Sequence, residues 1–110
     1  MAFAFEKKTN AGLITISGAF TAAISESFHT QFVAWFQAAP EIKSLVVDLG
    51  GVPMMDSTGL GAIIGVLKRV AERGGGLTLA RPQKNVQLVL QITQADKIMK
   101  ITPTLEAAGL

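Results

Sequence analysis

The sequence has no cysteine and a single histidine, His29. The first absence excludes disulfides and thiolate metal sites. The second leaves no material for a histidine metal cluster or a Ser-His-Asp triad. Long apolar runs are missing as well. The stretch 59–67 is free of charge, yet far short of the ~20 residues that span a bilayer. The opening MAFAFEKKTN alternates apolar and polar residues, unlike a signal peptide with its basic flank and apolar core, so the expected setting is the cytoplasm, away from membranes. Charge of one sign is scarce too. Residues 1–50 hold three Lys/Arg against four Asp/Glu, and residues 51–110 hold seven against four, for a net +2. No basic stripe with interleaved aromatics exists, so nucleic acid is not an expected partner.

What is present is 110 residues, about half of them apolar. That is enough chain for one domain, 1–110, with one modest core. Phe3 and Phe5 alternate with Ala4 and Glu6, and Leu13-Ile14-Thr15-Ile16-Ser17 is β-branched. The two runs predict a hairpin about the turn Thr9-Asn10-Ala11-Gly12, with Gly18 ending the second strand. Thr21 is positioned to N-cap a helix over 22–38. Ile24, Phe28, Phe32 and Trp35/Phe36 recur there at three- and four-residue spacing and predict a core face, closed by Pro40. His29 falls off that face, toward solvent.

Residues 43–49 (KSLVVDL) have the apolar density of an interior strand, broken by Gly50-Gly51-Val52-Pro53. A second helix follows over 58–72. Leu60, Ile63, Ile64 and Leu67 form its expected apolar face, and Lys68, Arg69 and Arg73 a solvated basic end that suits the helix dipole. Gly74-Gly75-Gly76 stops it. A strand over 77–80, a third helix opened by Pro82 and Gln83 and carrying Val86, Val89, Leu90 and Ile92, a short strand over 97–101 and a C-terminal helix over 104–108 complete the chain. The order is β-β-α-β-α-β-α-β-α. It predicts an α/β fold with a mixed sheet of about five strands and about four helices.

One stretch asks for more than secondary structure. In MMDSTGLGAIIG (54–65), an acid and two hydroxyls precede a glycine-spaced apolar run. Asp, Ser and Thr are favoured N-caps, but a cap needs one such residue and three are adjacent. Gly59, Gly61 and Gly65 each cost up to about 1 kcal/mol relative to alanine inside a helix, which points to a close backbone approach. A dinucleotide fingerprint fits poorly, because the last glycine is one residue too far and no acid ends a second strand about 20 residues on. An aspartic-protease loop would need the glycine directly after Asp-Ser or Asp-Thr. Regulatory phosphorylation fits better. A phosphate on Ser57 would meet free N–H groups at a positive helix end, and it would alter a surface matched to a neutral hydroxyl. Thr58 is a second candidate. Catalysis has no support, since no general base stands beside a nucleophile.

These residues resemble the signature of STAS-domain anti-sigma-factor antagonists, small α/β proteins of bacterial partner-switching. The resemblance is carried by Gly18, the 45–49 strand, Met55-Asp56-Ser57-Thr58-Gly59-Leu60-Gly61, the 74–76 break, and Thr93-Gln94-Ala95-Asp96-Lys97-Ile98. It implies a STAS-like fold and a chain that is a ligand and substrate rather than an enzyme. The unphosphorylated form would bind an anti-sigma factor that is also a serine kinase. Phosphorylation of Ser57 would release it, and a metal-dependent serine phosphatase would reset it. ATP and metal would belong to those partners, so no cofactor is expected here. The implied partner surface is Met54, Met55, Asp56, Ser57, Thr58, Gly59 and Gly61, joined by Phe20 and Thr21. Similar proteins usually carry aspartate at the position of Thr21, so a charge is missing beside the expected phosphosite. An unphosphorylated STAS subunit of another signalling or transporter-associated complex is the alternative.

Overall fold

The computed structural model describes residues 2–9 and 11–110. Strands β1 (Ala2–Lys7) and β2 (Gly12–Ser17) form an antiparallel hairpin with Phe3 opposite Ile16 and Phe5 opposite Ile14. Asn10, in the expected turn, lies outside the described residues. The chain continues through α1 (Ala22–Gln37), β3 (Leu45–Gly51), α2 (Ser57–Glu72), β4 (Leu77–Ala80), α3 (Lys84–Ile92) and β5 (Lys100–Thr102). Strands β2 to β5 are parallel, and the sheet order is β1-β2-β3-β4-β5. Parallel neighbours need crossovers, and crossovers of one hand that all step the same way place their helices on one face.

The core follows from that arrangement. Ile14, Ile16, Leu45, Val47, Leu49, Leu77 and Leu79 from the strands meet Phe28, Phe32 and Phe36 of α1, Leu60, Ile63, Val66 and Val70 of α2, and Val86 and Leu90 of α3. The aromatic stripe is core packing, as its spacing predicts. Trp35 is half-buried against Phe5, with ring centroids 5.3 Å apart, and His29 is exposed. The opposite sheet face carries Leu13, Val46 and Ala80, covered by Leu105, Ala108 and Leu110. Both faces of β3 are therefore shielded, which is why it reads as a nearly continuous apolar run. Among the described residues, no helix is long and apolar enough to cross a membrane.

Several boundaries depart from expectation. Among the described residues there are three α-helices and two 3₁₀ turns, not four helices. The C-terminal piece is a single turn, Glu106–Ala108, held by the Thr104 hydroxyl accepting from Ala107 N at 3.0 Å. So short a segment lacks the length to propagate an α-helix. The expected strand 97–101 begins only at Lys100. Local bonds from Lys97 N to Gln94 O and from Ile98 N to Ala95 O turn the chain first, after Gln94 takes a left-handed φ of 61°. Strand β3 runs through Gly50 and Gly51 instead of breaking there, and Gly51 pairs with Ser17 beside a register shift. On α2 the buried stripe is Gly59, Leu60, Ile63, Val66 and Val70. Ile64 and Leu67 sit at its half-buried margin. Ile92 is exposed.

Arg73 is not part of a solvated face. Its guanidinium donates to Phe36 O at 2.6 Å, Ala39 O at 2.9 Å and Ile42 O at 2.7 Å, and it lies 3.5 Å over the Phe36 ring. The last carbonyls of a helix have no partner within it. Arg73, just past the end of α2, satisfies one of those of α1 and two of the loop that follows. Replacing Arg73 with alanine is expected to cost about 2 kcal/mol in urea unfolding, from lost charged hydrogen bonds and packing. Arg73→Lys should recover little, because a point charge cannot fork across three carbonyls.

Candidate functional site

The DST stretch lies where the loop after β3 enters α2. Asp56 is the N-cap residue, in extended conformation, with its Oδ1 accepting from Gly59 N at 2.8 Å. Its other oxygen reaches across the fold: Oδ2 accepts from Ala22 N, the first residue of α1, at 3.0 Å. One carboxylate thus caps two helices. Thr21 occupies the N-cap position of α1, but its side chain makes no capping bond. The expected role of Thr21 passes to Asp56, 34 positions beyond the amide of Ala22 that it caps. The amide of Gly59, then that of Ala22, hold the Asp56 carboxyl below the ordinary carboxylate range of 3.8, against a smaller opposing effect of desolvation.

The backbone behind the cap is also shared. Phe20 N donates to Met54 O, Asp56 N donates to Phe20 O, and Phe20 bridges Met55 as in a parallel sheet. Gly59 is the close-approach position, because a Cβ there would collide with the Phe20 carbonyl. Gly61 and Gly65 have open space where a Cβ would stand, so the expected close approach holds for one glycine of three.

The candidate residues separate by burial. Met54, Ser57, Thr58 and Gly61 are exposed, Met54 to 48%. Asp56 and Thr21 are half-buried. Phe20, Met55 and Gly59 are buried, which corrects their placement on the partner surface. Phe20 fills the core against Phe28, Met55 packs inward beside it, and Gly59 is the seat of the Phe20 carbonyl. Among the described residues, no hydrogen bond engages the Ser57 or Thr58 hydroxyl. Both stand free on the first turn of α2, where a negative group meets the positive end of the helix dipole and the Asp56 carboxylate together.

Sequence reasoning missed a second cluster at the same end of the sheet. Asp48 is buried on the face opposite the helices. Its carboxylate takes Arg81 Nε at 2.9 Å and Arg81 Nη2 at 2.7 Å, together with Gly50 N at 2.9 Å. Burial pushes this carboxyl up, but the Arg81 fork, the Gly50 amide and the Arg81 charge outweigh it and keep it below 3.8. The signal was present: an aspartate inside an apolar strand must find a partner.

Two expectations test this geometry. Gly59→Ala should destabilise the domain by about 1–3 kcal/mol through overpacking against the Phe20 backbone. Gly61→Ala should stabilise it by up to about 1 kcal/mol. Urea midpoints decide both. Asp56→Asn, which keeps one acceptor, should unfold at lower urea than the native protein at neutral pH. Because the folded carboxyl titrates below its unfolded value, its contribution is full above about 3.8 and is lost as pH falls through the lower folded value. The gap between the two proteins should therefore close on acidification, whereas Thr21→Ala should shift the midpoint little at any pH.

Comparison with known proteins places this geometry in context. A family model described as the STAS domain matches residues 2–108. A Thermotoga neapolitana protein whose name proposes an anti-sigma factor antagonist is 39% identical over 66 residues, covering 60% of this chain and 58% of that one. The match thus spans little more than half of that relative's length. The fold is similar to a Thermotoga maritima structure bearing the same proposed name, with a TM-score of 0.89, 24% identity and coverage of 96% and 90% of the two chains. It is also similar to the Bacillus cell fate determinant SpoIIAA in its phosphorylated form, with a TM-score of 0.72, 22% identity and coverage of 98% and 97%. With the family model matched almost end to end, over the same mixed five-stranded sheet, the chain belongs to the STAS domain family.

Proposed function

We propose that the chain is an anti-sigma-factor antagonist that binds a serine kinase of the anti-sigma type through the exposed residues about Ser57, and leaves it when Ser57 is phosphorylated. The observation that carries this reading is the free Ser57 hydroxyl on the first turn of α2, spared from capping because Asp56 does that work for both helices. The phosphorylated form of the similar SpoIIAA structure supports it by likeness of fold. Met54, Thr58 and Gly61 complete the exposed contact surface, with Asp56 and Thr21 at its base. The kinase supplies ATP and magnesium, a metal-dependent phosphatase reverses the modification, and the exchange takes place in the cytoplasm. Nucleic acid and membrane have no part in it, and the effect on transcription is indirect.

The switch is electrostatic. A phosphate on Ser57 adds up to two negative charges beside the Asp56 carboxylate. The helix end tolerates that anion, so the domain stays folded. A partner surface matched to a neutral hydroxyl does not tolerate it, and the complex dissociates. Asp56 already takes up much of the local positive potential, so the phosphate projects toward the partner rather than folding back.

Incubation with ATP and the kinase that co-purifies with the chain should label Ser57 alone or Ser57 before Thr58, as mapped by mass spectrometry. Ser57→Asp should weaken kinase binding at least tenfold in calorimetry, with a urea midpoint close to the native one. Label absent from Ser57, or equal affinity of the two forms, would sink the switch and favour a constitutive STAS subunit.

A further inference from the structure

Gly50 is held from three sides. Its N–H donates to Asp48 Oδ1 at 2.9 Å, and its carbonyl accepts from Gln83 Nε2 at 2.8 Å. Over its Cα lies the Arg81 guanidinium, so close that a Cβ would stand 2.7 Å from Cζ. Arg81 is itself constrained. It takes a left-handed φ of 56°, its N–H donates to Thr102 O at 2.9 Å, and its fork grips the buried Asp48. A non-glycine residue in this conformation is strained and persists only where its surroundings over-determine it, which is common beside switch regions. An ion pair with one partner buried is weak evidence for stability, since apolar side chains of like volume often serve as well. What this pair supplies is a fixed position for Gly50.

From Gly50 the chain runs to Ser57 through a segment fastened at its start on one flank and along the rest of its length on the other. On the β2–α1 side, Gly18 N donates to Gly51 O at 2.9 Å and Phe20 N donates to Met54 O at 2.9 Å, and Asp56 caps α1. On the β4–α3 side, the only hydrogen bonds from side chains to residues 50–56 among the described residues come from the Asp48–Arg81–Gln83 group. We infer that Asp48, Arg81 and Gln83 form a clamp that positions the Ser57-bearing loop for its partner, making Arg81 and Gln83 positioning residues for recognition and phosphorylation. The functional half of this inference rests on the partner-switching reading above. Neither residue touches the Ser57 hydroxyl. They act through the loop, and their loss should change how well the partner finds Ser57, not the chemistry at its hydroxyl.

Arg81→Gly is the informative variant, because glycine adopts the left-handed conformation without strain while the clamp is removed. Gln83→Ala removes the carbonyl contact alone. Two measurements on the full chain separate a local clamp from a general structural role. Amide hydrogen exchange in residues 50–56 should accelerate at least tenfold in Arg81→Gly, with α1 and the β1–β2 hairpin unchanged. The KM for phosphorylation by the captured kinase should rise at least fivefold with kcat held. Gln83→Ala should show both effects at smaller size, and Arg81→Lys, which keeps the charge but loses the fork, should fall between native and Arg81→Gly. Native exchange in residues 50–56 of Arg81→Gly overturns the clamp. Faster exchange with an unchanged KM overturns its role in recognition. Failure of the kinase to bind or label the native chain instead removes the partner-switching reading and the recognition role with it, while the exchange measurement still decides whether the clamp exists.

Discussion

A single carboxylate joins the two halves of this domain. Asp56 accepts from the first amide of α1 with one oxygen and from the first turn of α2 with the other. The four leading N–H groups of each helix have no partner inside it, and both helices turn to the same side chain for one of theirs. The consequence reaches the core. With their N-termini fixed to a common point, α1 and α2 lie side by side over the sheet, and Phe28, Phe32, Leu60 and Ile63 belong to one core. It reaches the surface as well, because the adjacent Ser57 has no structural duty and stands free.

This division of labour explains the composition of the motif. Asp56 is electrostatic and structural, Gly59 is steric, and Met55 and Phe20 are core. The residues of the motif that stay exposed are the ones the fold does not use: Met54, Ser57, Thr58 and Gly61. A helix glycine with open space around it has no reason inside the molecule, whereas Gly59 has a clear one in the Phe20 carbonyl. Thr21 belongs to the same account. Its side chain makes no capping bond to α1, which leaves that task to Asp56, and it places no second carboxylate beside Asp56.

Much of the fold was legible in the sequence, because it rests on periodicity. Phe28, Phe32 and Phe36 mark a helix face, and Leu45 to Leu49 mark a strand covered on both sides. The DST stretch was legible as a helix start for the same local reason. What was not legible is which distant group each polar side chain serves. The bonds from Asp56 to Ala22, from Arg81 to Asp48 and from Arg73 to Phe36 span 34, 33 and 37 residues, and no local pattern encodes them. Asp56 reads as a local cap and Arg73 as part of a solvated face until their partners are in place, and Arg81 carries no local signal at all. The short elements failed for another reason. Near Gln94 and Thr104 a few turn bonds outweigh weak strand or helix preferences, and boundaries there depend on single hydrogen bonds.

Strand order and chain order are the same in this sheet. Every strand after the first therefore docks on the one made immediately before it, and no strand must wait for a later one to fill a gap. Loop closures stay short, and the entropy lost in each is modest. During synthesis the hairpin can form first, and each helix-strand unit can then add to the growing edge as it leaves the ribosome. The growing edge advances with the chain and comes to rest at β5, only three residues long, which leaves little template for pairing on that side of the sheet.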